Sequence, residues 1–566
     1  MYRTSIEMHN RLMRGEAPLA YILIRTHMGY RAYAAKELKG VFTPTAYLAD
    51  GSYTAGGAIL AGAESVGVID KAGRLLSLSG LDRTLQPQDA DYLTGWFGKD
   101  LQSITVELDD ADDYFSRLIA TEPFITRDLF VYAGFEDLPF STHLPLFKGT
   151  IVSVTPGSGV MALEAEEKIS GVYDTWFLGR AGRYANPLDT NARLPLVYGD
   201  LTDGADGNWA CPCIDTVNHV YCYAGFAVLT VADGNSVAVY VDGVLQAAGY
   251  TFSASNNYEG LGAIATITFT ADQGNKVVTV RGKGLDAAGV LIDNAIDQIE
   301  DLLTVQNAFS SSLFESTSKA RARQKFLAQG YKAAGVIAED ITYWELIIKI
   351  MSSFLGSAYL SGDGLLCFEI DDGTDGATPV FDGILSRGDI DVIPEALKFE
   401  NIINRCPASY AYDYASGSEF KRHTDDSAHS NVISQSTFGE KTPDQPFRHY
   451  WCRDLAGVNK IQDIIVGKFG SPVYEATVRD NTLKRLNNDI GDIVLMTARR
   501  LFGSDGQPLY NQFWKVLGVS PDYLGGCIDF RVLQTPYFLT VAQMADGSHL
   551  ADGSVKAGGD RDTANY

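Results

Sequence analysis

The sequence predicts a mainly β fold with some helix, divided into several domains. The chain has 566 residues, which at roughly 100–200 residues per domain suggests three to five domains. Glycine (56 residues), tyrosine (29) and phenylalanine (27) are abundant. Aromatic side chains suit the half-buried surface of a sheet, and glycine supplies the positive φ angles of tight turns. Several segments also alternate apolar and polar residues with a period of two, which is typical of half-buried strands.

The N-terminal part combines strands with two short helices. Residues 1–15 resemble a short helix that ends before Pro18, and strands are predicted at 21–26 and 30–34. Residues 103–108 alternate cleanly and predict a strand. The acidic run 109–113 then precedes an apolar turn, and carboxylates are stabilising at a helix N-terminus. Further strands are predicted at 129–135 and 149–154.

A second β-rich region follows a boundary near residues 195–199. Strand-like segments occupy 227–231, 236–241, 263–270 and 276–281. The pair Asp242-Gly243 predicts a hairpin turn, because both positions tolerate positive φ. We interpret this region as an inserted β domain.

The period then changes to that of a helix. Residues Ile292, Ile296, Ile299 and Leu303 share one helix face, and Asp286 is the expected cap. Thr342 with Glu345 predicts a capping box at the start of a second helix. The apolar stretch 341–360 contains two charged residues and predicts a buried helix, so no membrane insertion is expected.

Strands return in the last third of the chain. They are predicted at 404–414, 473–479, 492–497, 513–519 and 526–533, with a helix at 458–468 and a hairpin at 361–364 leading into 365–370. Residues 413–446 are polar and poorly patterned. They predict a long loop, either an interaction or gating element or a mobile surface loop.

The formal charge of −24 limits the possible partners. Sequence-independent binding to nucleic acid needs lysine and arginine against phosphates, and contact with anionic membranes needs a polybasic segment. The N-terminus lacks the pattern of a signal peptide. We therefore expect a protein that is made in the cytoplasm and has no sequence-independent grip on nucleic acid.

Metal and cofactor sites are weakly indicated. Cys211, Cys213, His219 and Cys222 could hold zinc, but their spacing matches no standard finger or ribbon, and buried thiols also behave as small hydrophobic groups. The acidic stretches 109–113, 200–206 and 371–375 lack the spacing of a calcium-binding EF-hand loop. The prediction is that no metal and no cofactor is bound.

Catalytic motifs are missing from the sequence. It contains no nucleophile elbow, no zinc-protease helix motif and no phosphate-binding loop. Paired carboxylates are uninformative, because 70 acidic residues always provide some pair. We expect that the chain is not an enzyme and has no catalytic residues.

Ten short segments carry a resemblance to a known family. In order they are LPLVYGDL at 194–201, CIDT at 213–216, VYVDGV at 239–244, GYT at 249–251, ATITF at 265–269, IEDLLT at 299–304, GVI at 335–337, SGDG at 361–364, IGDIV at 490–494 and FWKV at 513–516. Their order resembles that of the tail-tip or baseplate hub proteins of long-tailed bacteriophages, over most of residues 100–535.

The resemblance implies two related β-barrel hub domains and a homotrimeric ring that joins a sixfold tail tube to a threefold tip. The implied partners are distal tail or tail-tube ring proteins, the C-terminus of the tape-measure protein, and other tip or fibre proteins. DNA would pass through the channel without specific binding. The implied location is the tail tip of the virion, after assembly in the host cytoplasm.

Five segments follow from the pattern and the resemblance together. They are an N-terminal part with the first hub barrel (1–190), an inserted β-rich domain (191–285), a helical connecting segment (286–362), the second hub barrel (363–537) and a Gly/Asp-rich tail (538–566). Two alternatives remain open. One is a β-rich surface protein that binds or cleaves carbohydrate, and the other is a different ring or fibre component of the tail.

Overall fold

A computed structural model describes most of the chain. The described residues are 6–26, 29–36, 66–69, 73–81, 83–84, 102–167, 172, 174–203, 206–373, 383–385, 390–394, 402–417, 419–424, 429–443, 445–486, 488–502, 508–523 and 525–535. The prediction of a mainly β fold with some helix is confirmed. The pentapeptide LADGS occurs at 48–52 and again at 550–554. Both copies lie outside the described residues, as does the predicted tail 538–566.

The N-terminal part forms an eight-stranded sheet. Its elements, with one short strand that leaves the sheet (β5), are α1 Ile6–Met13, β1 Leu19–Thr26, β2 Gly29–Ala34, β3 Val66–Ile69, β4 Leu75–Ser79, β5 Arg83–Thr84, β6 Ser103–Asp109, α2 Tyr114–Leu118, β7 Asp128–Gly134, β8 Leu144–Pro156 and β9 Val160–Glu167. The sheet order is β3-β2-β1-β7-β8-β9-β6-β4. All neighbours are antiparallel except β2 and β3.

The central region is built from small sheets. Its strands are β10 Thr175–Trp176, β11 Leu196–Tyr198, β12 Asp200–Leu201, β13 Trp209–Ala210, β14 Cys213–Asp215, β15 Val220–Ala224, β16 Ala238–Val241, β17 Val244–Leu245, β18 Tyr250–Asn257, β19 Ala263–Phe269, β20 Val278–Lys283, β21 Asp286–Ala287 and β22 Val290–Leu291. One sheet has the order β14-β15-β19-β18, and another has the order β12-β20-β16-β17, with β13 also on β20.

A helical layer follows. It contains α3 Ala295–Glu300, which continues as a π-helical turn Asp301–Val305, then α4 Ser316–Gln329, β23 Gly335–Ile337, β24 Ile341–Thr342, α5 Tyr343–Ser352, β25 Gly356–Leu360 and β26 Leu366–Ile370. Strands β23 and β24 return to pair with β11 and β10, which ties this layer to the central region. Its apolar side chains belong to one large core shared with the central sheets.

The last third of the chain forms a seven-stranded sheet and completes the helical layer. The elements are β27 Gly383–Leu385, β28 Ile390–Pro394, β29 Ala408–Tyr412, β30 Phe420–Thr424, α6 Val432–Phe438, β31 Phe447–His449, α7 Leu455–Phe469, β32 Glu475–Asp480, β33 Ile493–Phe502, β34 Pro508–Asp522 and β35 Cys527–Gln534. The large sheet has the order β27-β33-β34-β35-β32-β28, and β5 from the N-terminal part pairs with β34. Strands β29 to β31 form a separate small sheet.

The two large sheets contain the same five-strand unit. In the first unit the order is β7-β8-β9-β6-β4, and in the second it is β33-β34-β35-β32-β28. Both follow the same course along the chain, with every neighbouring pair antiparallel. In each unit, three consecutive strands form a meander. The two strands that come before the meander in the chain lie beside its third strand in the sheet.

The bulges of the two units also coincide. In β8, Pro156 opposes Met161, and the pairing register shifts between Ile151 and Ser153. In β34, Pro521 opposes Ile528, and the register shifts between Val516 and Gly518. The extra residue thus stands four positions before a proline in each unit. Because a bulge changes the twist and direction of a strand, the two long strands bend at the same place.

One hydrophobic core lies between the two units. It contains side chains from the first unit, such as Val106 and Leu163, together with Val478, Trp514 and Phe530 from the second. Helix α1 adds Met8 and Leu12 to this core. The two units are therefore packed against each other through their apolar faces. Each opposite face is directed away from the shared core.

Several local predictions are confirmed. Asp242 and Gly243 have φ angles of 50° and 77° and join β16 to β17 as predicted. Thr342 and Glu345 form the predicted capping box of α5. That helix ends at Ser352, and the last part of the stretch predicted as helix, 356–360, forms β25 instead. No helix in the described part of the chain is long and apolar enough to cross a membrane.

Three local predictions are wrong. Residues 227–231 do not form a strand. Asp286 does not cap α3, because Asn294 accepts the hydrogen bond from the Ile296 N–H. The polar segment 413–446 is not one long loop, since it contains β30 and α6. Helix α4 was missed because its mainly polar sequence lacks an apolar stripe. The five predicted segment boundaries stay a prediction.

Candidate functional site

The outer face of the first unit is acidic on strands β6 and β9. Side chains of β6 and β9 alternate, so that residues such as Ile104 and Leu163 enter the shared core. Glu107, Glu164 and Glu166 lie on the opposite face and are exposed. Ser77 donates a hydrogen bond of 2.8 Å to Glu107. The part of this face on β6 and β9 is therefore hydrophilic and negatively charged, whereas Phe130 and Tyr132 of β7 belong to a separate aromatic cluster.

The equivalent positions of the second unit carry basic residues. By strand register, Glu107 corresponds to Arg479 and Glu164 corresponds to Arg531. Arg479 donates two hydrogen bonds to Asp529, at 2.7 and 2.6 Å. Arg531 is paired with the buried Glu475. The charges on this face are thus largely compensated, unlike those of the first unit.

The outer face of the second unit is partly covered by helix α7. Leu517 and Leu533 on this face pack into the same core as Ile465 and Phe469 of α7. A crevice between them is lined by Lys468, Phe469, Val473, Lys515, Leu533, Gln534 and Thr535. Its volume of about 10 Å³ matches about one water molecule. It is a packing joint between sheet and helix and is too small for an organic ligand.

Two buried ion pairs connect this joint to the β25–β26 hairpin. Lys515 Nζ lies 2.9 Å from Glu369 Oε1, and both side chains are nearly fully buried. Lys468 pairs with Asp371, which is also buried. Isolated charges are costly to bury, so Lys515–Glu369 holds the sheet against the hairpin, and Lys468–Asp371 holds α7 against the end of β26. Gly491 (φ 84°) packs against Glu369, where a Cβ atom would collide with the carboxylate.

A third buried ion pair ties the central region to the small sheet around β29. Arg453 is 5% exposed and donates to both carboxylate oxygens of Asp203, at 2.6 and 3.1 Å. It also donates to Asn208 Oδ1 at 2.7 Å and to the Tyr412 carbonyl at 2.8 Å. The planar guanidinium satisfies all these acceptors at once. Residues that are 250 apart in sequence are thereby held together.

The four candidate zinc ligands do not converge. Cys211 and Cys213 belong to the large central core, whereas Cys222 belongs to a smaller cluster. Burial raises the pKa of the Cys211 and Cys213 thiols, and it raises that of Cys222 to about 12. No group of three potential ligands exists among the described residues, and the geometry favours hydrophobic thiols.

The described parts of the acidic stretches have structural partners. Asp110 accepts hydrogen bonds from the N–H groups of Phe115 and Ser116 and so caps α2. Asp206 lies 2.8 Å from Lys421. Asp203 and Asp371 form the buried pairs described above, while residues 374–375 of the third stretch lie outside the described chain. These carboxylates are engaged in the fold and do not form a calcium loop.

The buried lysines of the joint were missed in the sequence, although a signal was present. Lys468 stands between apolar residues of α7, and Lys515 stands between Trp514 and Val516 of a predicted strand. A lysine inside an apolar run predicts a buried carboxylate partner, because lysine is almost never fully buried unpaired. The identity of that partner requires the tertiary structure.

The fold thus defines a multi-domain β protein with a repeated five-strand unit. No protein-family model and no curated protein matches the chain. A chain from a solved structure described as a virion of a native gene transfer agent particle is 14% identical. The match covers 49% of this chain and 84% of that chain, with a TM-score of 0.19. At such a score the two backbones do not superpose as wholes.

Proposed function

We propose that this chain is a structural hub of a phage tail tip or baseplate. The observation that carries the proposal is the five-strand unit that occurs twice in one chain with the same order and the same bulge. Three copies supply six such units. A ring of three copies would therefore present pseudo-sixfold symmetry to a tail tube and threefold symmetry to a tip.

The charge distribution supports a channel that DNA crosses without binding. The net charge is −24, and the exposed face of the first unit carries three glutamates. Phosphates are repelled by such a face, and DNA would be held only by lysine and arginine. In the proposed ring this acidic face lines or closes the DNA exit channel.

The role is mechanical rather than catalytic. The buried pair Lys515–Glu369 braces the second unit against the helical layer, and Lys468–Asp371 ties α7 to the β25–β26 hairpin within that layer. Bracing of this kind suits a part that transmits force during DNA ejection. The proposed partners are a tail-tube ring protein on one side, the tape-measure C-terminus within the channel, and tip or fibre proteins below.

Native mass measurement followed by electron microscopy tests the proposal. A particle of three times the 61.5 kDa chain mass, with six lobes around a central channel, is the expected result. A hexamer would indicate a ring adjacent to the tail tube instead. A chain that stays monomeric, alone and in the presence of the tail proteins encoded with it, would contradict the hub.

A further inference from the structure

Beyond its bulge, β34 pairs with a short strand from the first unit on the side opposite β35. Gly518 and Val519 pair with Arg531 and Phe530 of β35 on one side. On the other side they pair with Thr84 and Arg83 of β5. Strand β5 lies in the connection from β4 to β6, which belongs to the first unit. One unit therefore completes the sheet edge of the other within the chain.

The same edge exists on β8 of the first unit. Ser153 pairs with Glu164 of β9, as Gly518 pairs with Arg531. On the β7 side, the last hydrogen bonds join Ile151 to Thr126 and Arg127. Beyond Ile151, no strand in the described part of the chain pairs with that side of β8. The backbone of residues 153–156 thus has the geometry that accepts β5 in the second unit.

This edge also carries an exposed apolar side chain. Val152 is the bulged residue and is 44% exposed. An unpaired sheet edge with an apolar side chain invites pairing with another chain, and natural proteins normally protect such edges with charges, proline or a covering element. The edge of β8 has Pro156 at its end but no charged residue between Val152 and Pro156.

We propose that residues 153–156 of β8 receive a strand from the second unit of another copy of this chain. Among the described residues of the same chain, no strand of the second unit pairs with this edge. Its connection from β28 to β32 is the counterpart of the connection that contains β5. Repeating the contact from copy to copy is a heterologous interface, which generates a closed ring when the rotation closes.

The inference rests on the proposed ring and adds the contact that closes it. The test uses the full chain with the double substitution Val152→Lys and Thr155→Lys. Both positions are exposed, so the monomer keeps its fold. The control is Val244→Lys with Leu245→Lys, which adds the same charge at two exposed positions of another edge strand, β17.

Two readouts are expected to agree. The double variant on β8 raises the dissociation constant of the oligomer at least tenfold, whereas the control leaves it unchanged. In hydrogen exchange, the amides of β8 beyond Ile151 that point away from β9 are slow in the wild-type oligomer and become fast on dilution to monomers. The amides of Gly518 and Val519, which are paired with β35 and β5 within the chain, stay slow in both states.

Each possible failure has a distinct meaning. A trimer whose assembly and amide exchange are insensitive to the β8 variant overturns this inference and leaves the hub intact. An oligomer of another size that depends on Val152 upholds the edge contact and contradicts the threefold ring. Slow exchange, in the monomer, of the β8 amides that point away from β9 overturns the inference, because the edge is then covered within the chain. Failure to associate under any condition overturns both.

Discussion

Val152 and Leu517 occupy the same bulge position in two copies of one five-strand unit, yet Val152 is 44% exposed and Leu517 is 6% exposed. The difference arises because Leu517 packs into the core beneath α7, whereas no described helix covers Val152. The two units thus share a backbone plan and differ in what covers them. The first presents an exposed acidic area on β6 and β9, and the second is braced from outside by α7.

The buried pair Lys515–Glu369 is expected to be important for stability. Lys515→Met leaves Glu369 charged and unpaired, and the free energy of unfolding should fall by about 3–5 kcal/mol. The double variant Lys515→Met with Glu369→Gln should recover a large part of that loss. Urea denaturation of wild type, both single variants and the double variant measures the coupling.

A surface pair in the same sheet provides the control for this experiment. Arg479 is 48% exposed and bonded to Asp529, so Arg479→Met should cost no more than about 1 kcal/mol. Equal losses for the Lys515 and Arg479 variants would contradict the view that burial makes the first pair important.

The buried His449 is expected to make the folded protein less stable in mild acid. Burial lowers the pKa of this histidine from 6.5 to about 4, while its Nδ1 lies 3.2 Å from the Ser353 carbonyl. Between pH 6.5 and 4 the unfolded chain binds a proton that the folded chain does not, so stability falls as the pH decreases. The full effect is about 3 kcal/mol. Thermal unfolding of wild type and His449→Gln at pH 7.5 and 5 measures it.

The variant separates His449 from other titrating groups. The His449→Gln protein loses some stability at pH 7.5, but its stability should depend less on pH between 7.5 and 5. His143, whose pKa is also lowered by burial, stays in place and retains a smaller dependence of the same sign. An unchanged difference between the two pH values in the variant would show that His449 is not the titrating group.

The stability of the fold is expected to depend on the guanidinium group of Arg453. Arg453→Lys keeps the charge but cannot satisfy Asp203, Asn208 and the Tyr412 carbonyl together, and unsatisfied buried groups cost about 1–3 kcal/mol each. A reduction of the unfolding free energy in that range is expected in denaturant titration. Arg405→Lys, at the more exposed pair with Glu440, should change it by less than about 0.5 kcal/mol. Similar effects at both sites would contradict a specific role of the Arg453 guanidinium group.

Thiol chemistry distinguishes core cysteines from zinc ligands. Six of the seven cysteines are buried and only Cys527 is partly exposed. In the folded protein, a thiol reagent at pH 8 should modify one cysteine per chain, and Cys527→Ser should abolish that reaction. Metal analysis of the purified chain should find no stoichiometric zinc. If the wild type held one zinc atom per chain and the Cys211→Ala variant held none, the metal site would be established instead.

Local patterns in the sequence determined much of the secondary structure. Alternation located β6, β7 and β35, the Asp-Gly pair located the β16–β17 turn, and the Thr342–Glu345 spacing located α5, because each signal acts between residues close together in the chain. The prediction failed where local signals are weak. Helix α4 lacks an apolar stripe, and the cap of α3 was assigned to Asp286 rather than Asn294.

Only the tertiary structure decided which distant residues meet. It paired Lys515 with Glu369 and Arg453 with Asp203, and it sent β5 into the sheet of the second unit. It also revealed the shared register of the two units, whose equivalent residues, such as Glu107 and Arg479, differ in chemical type. Backbone pairing and burial conserve a fold without conserving side-chain identity. The sequence by itself therefore determined the β-rich elements. Long-range packing decided which of the two similar units is covered by a helix and which charges their outer faces carry.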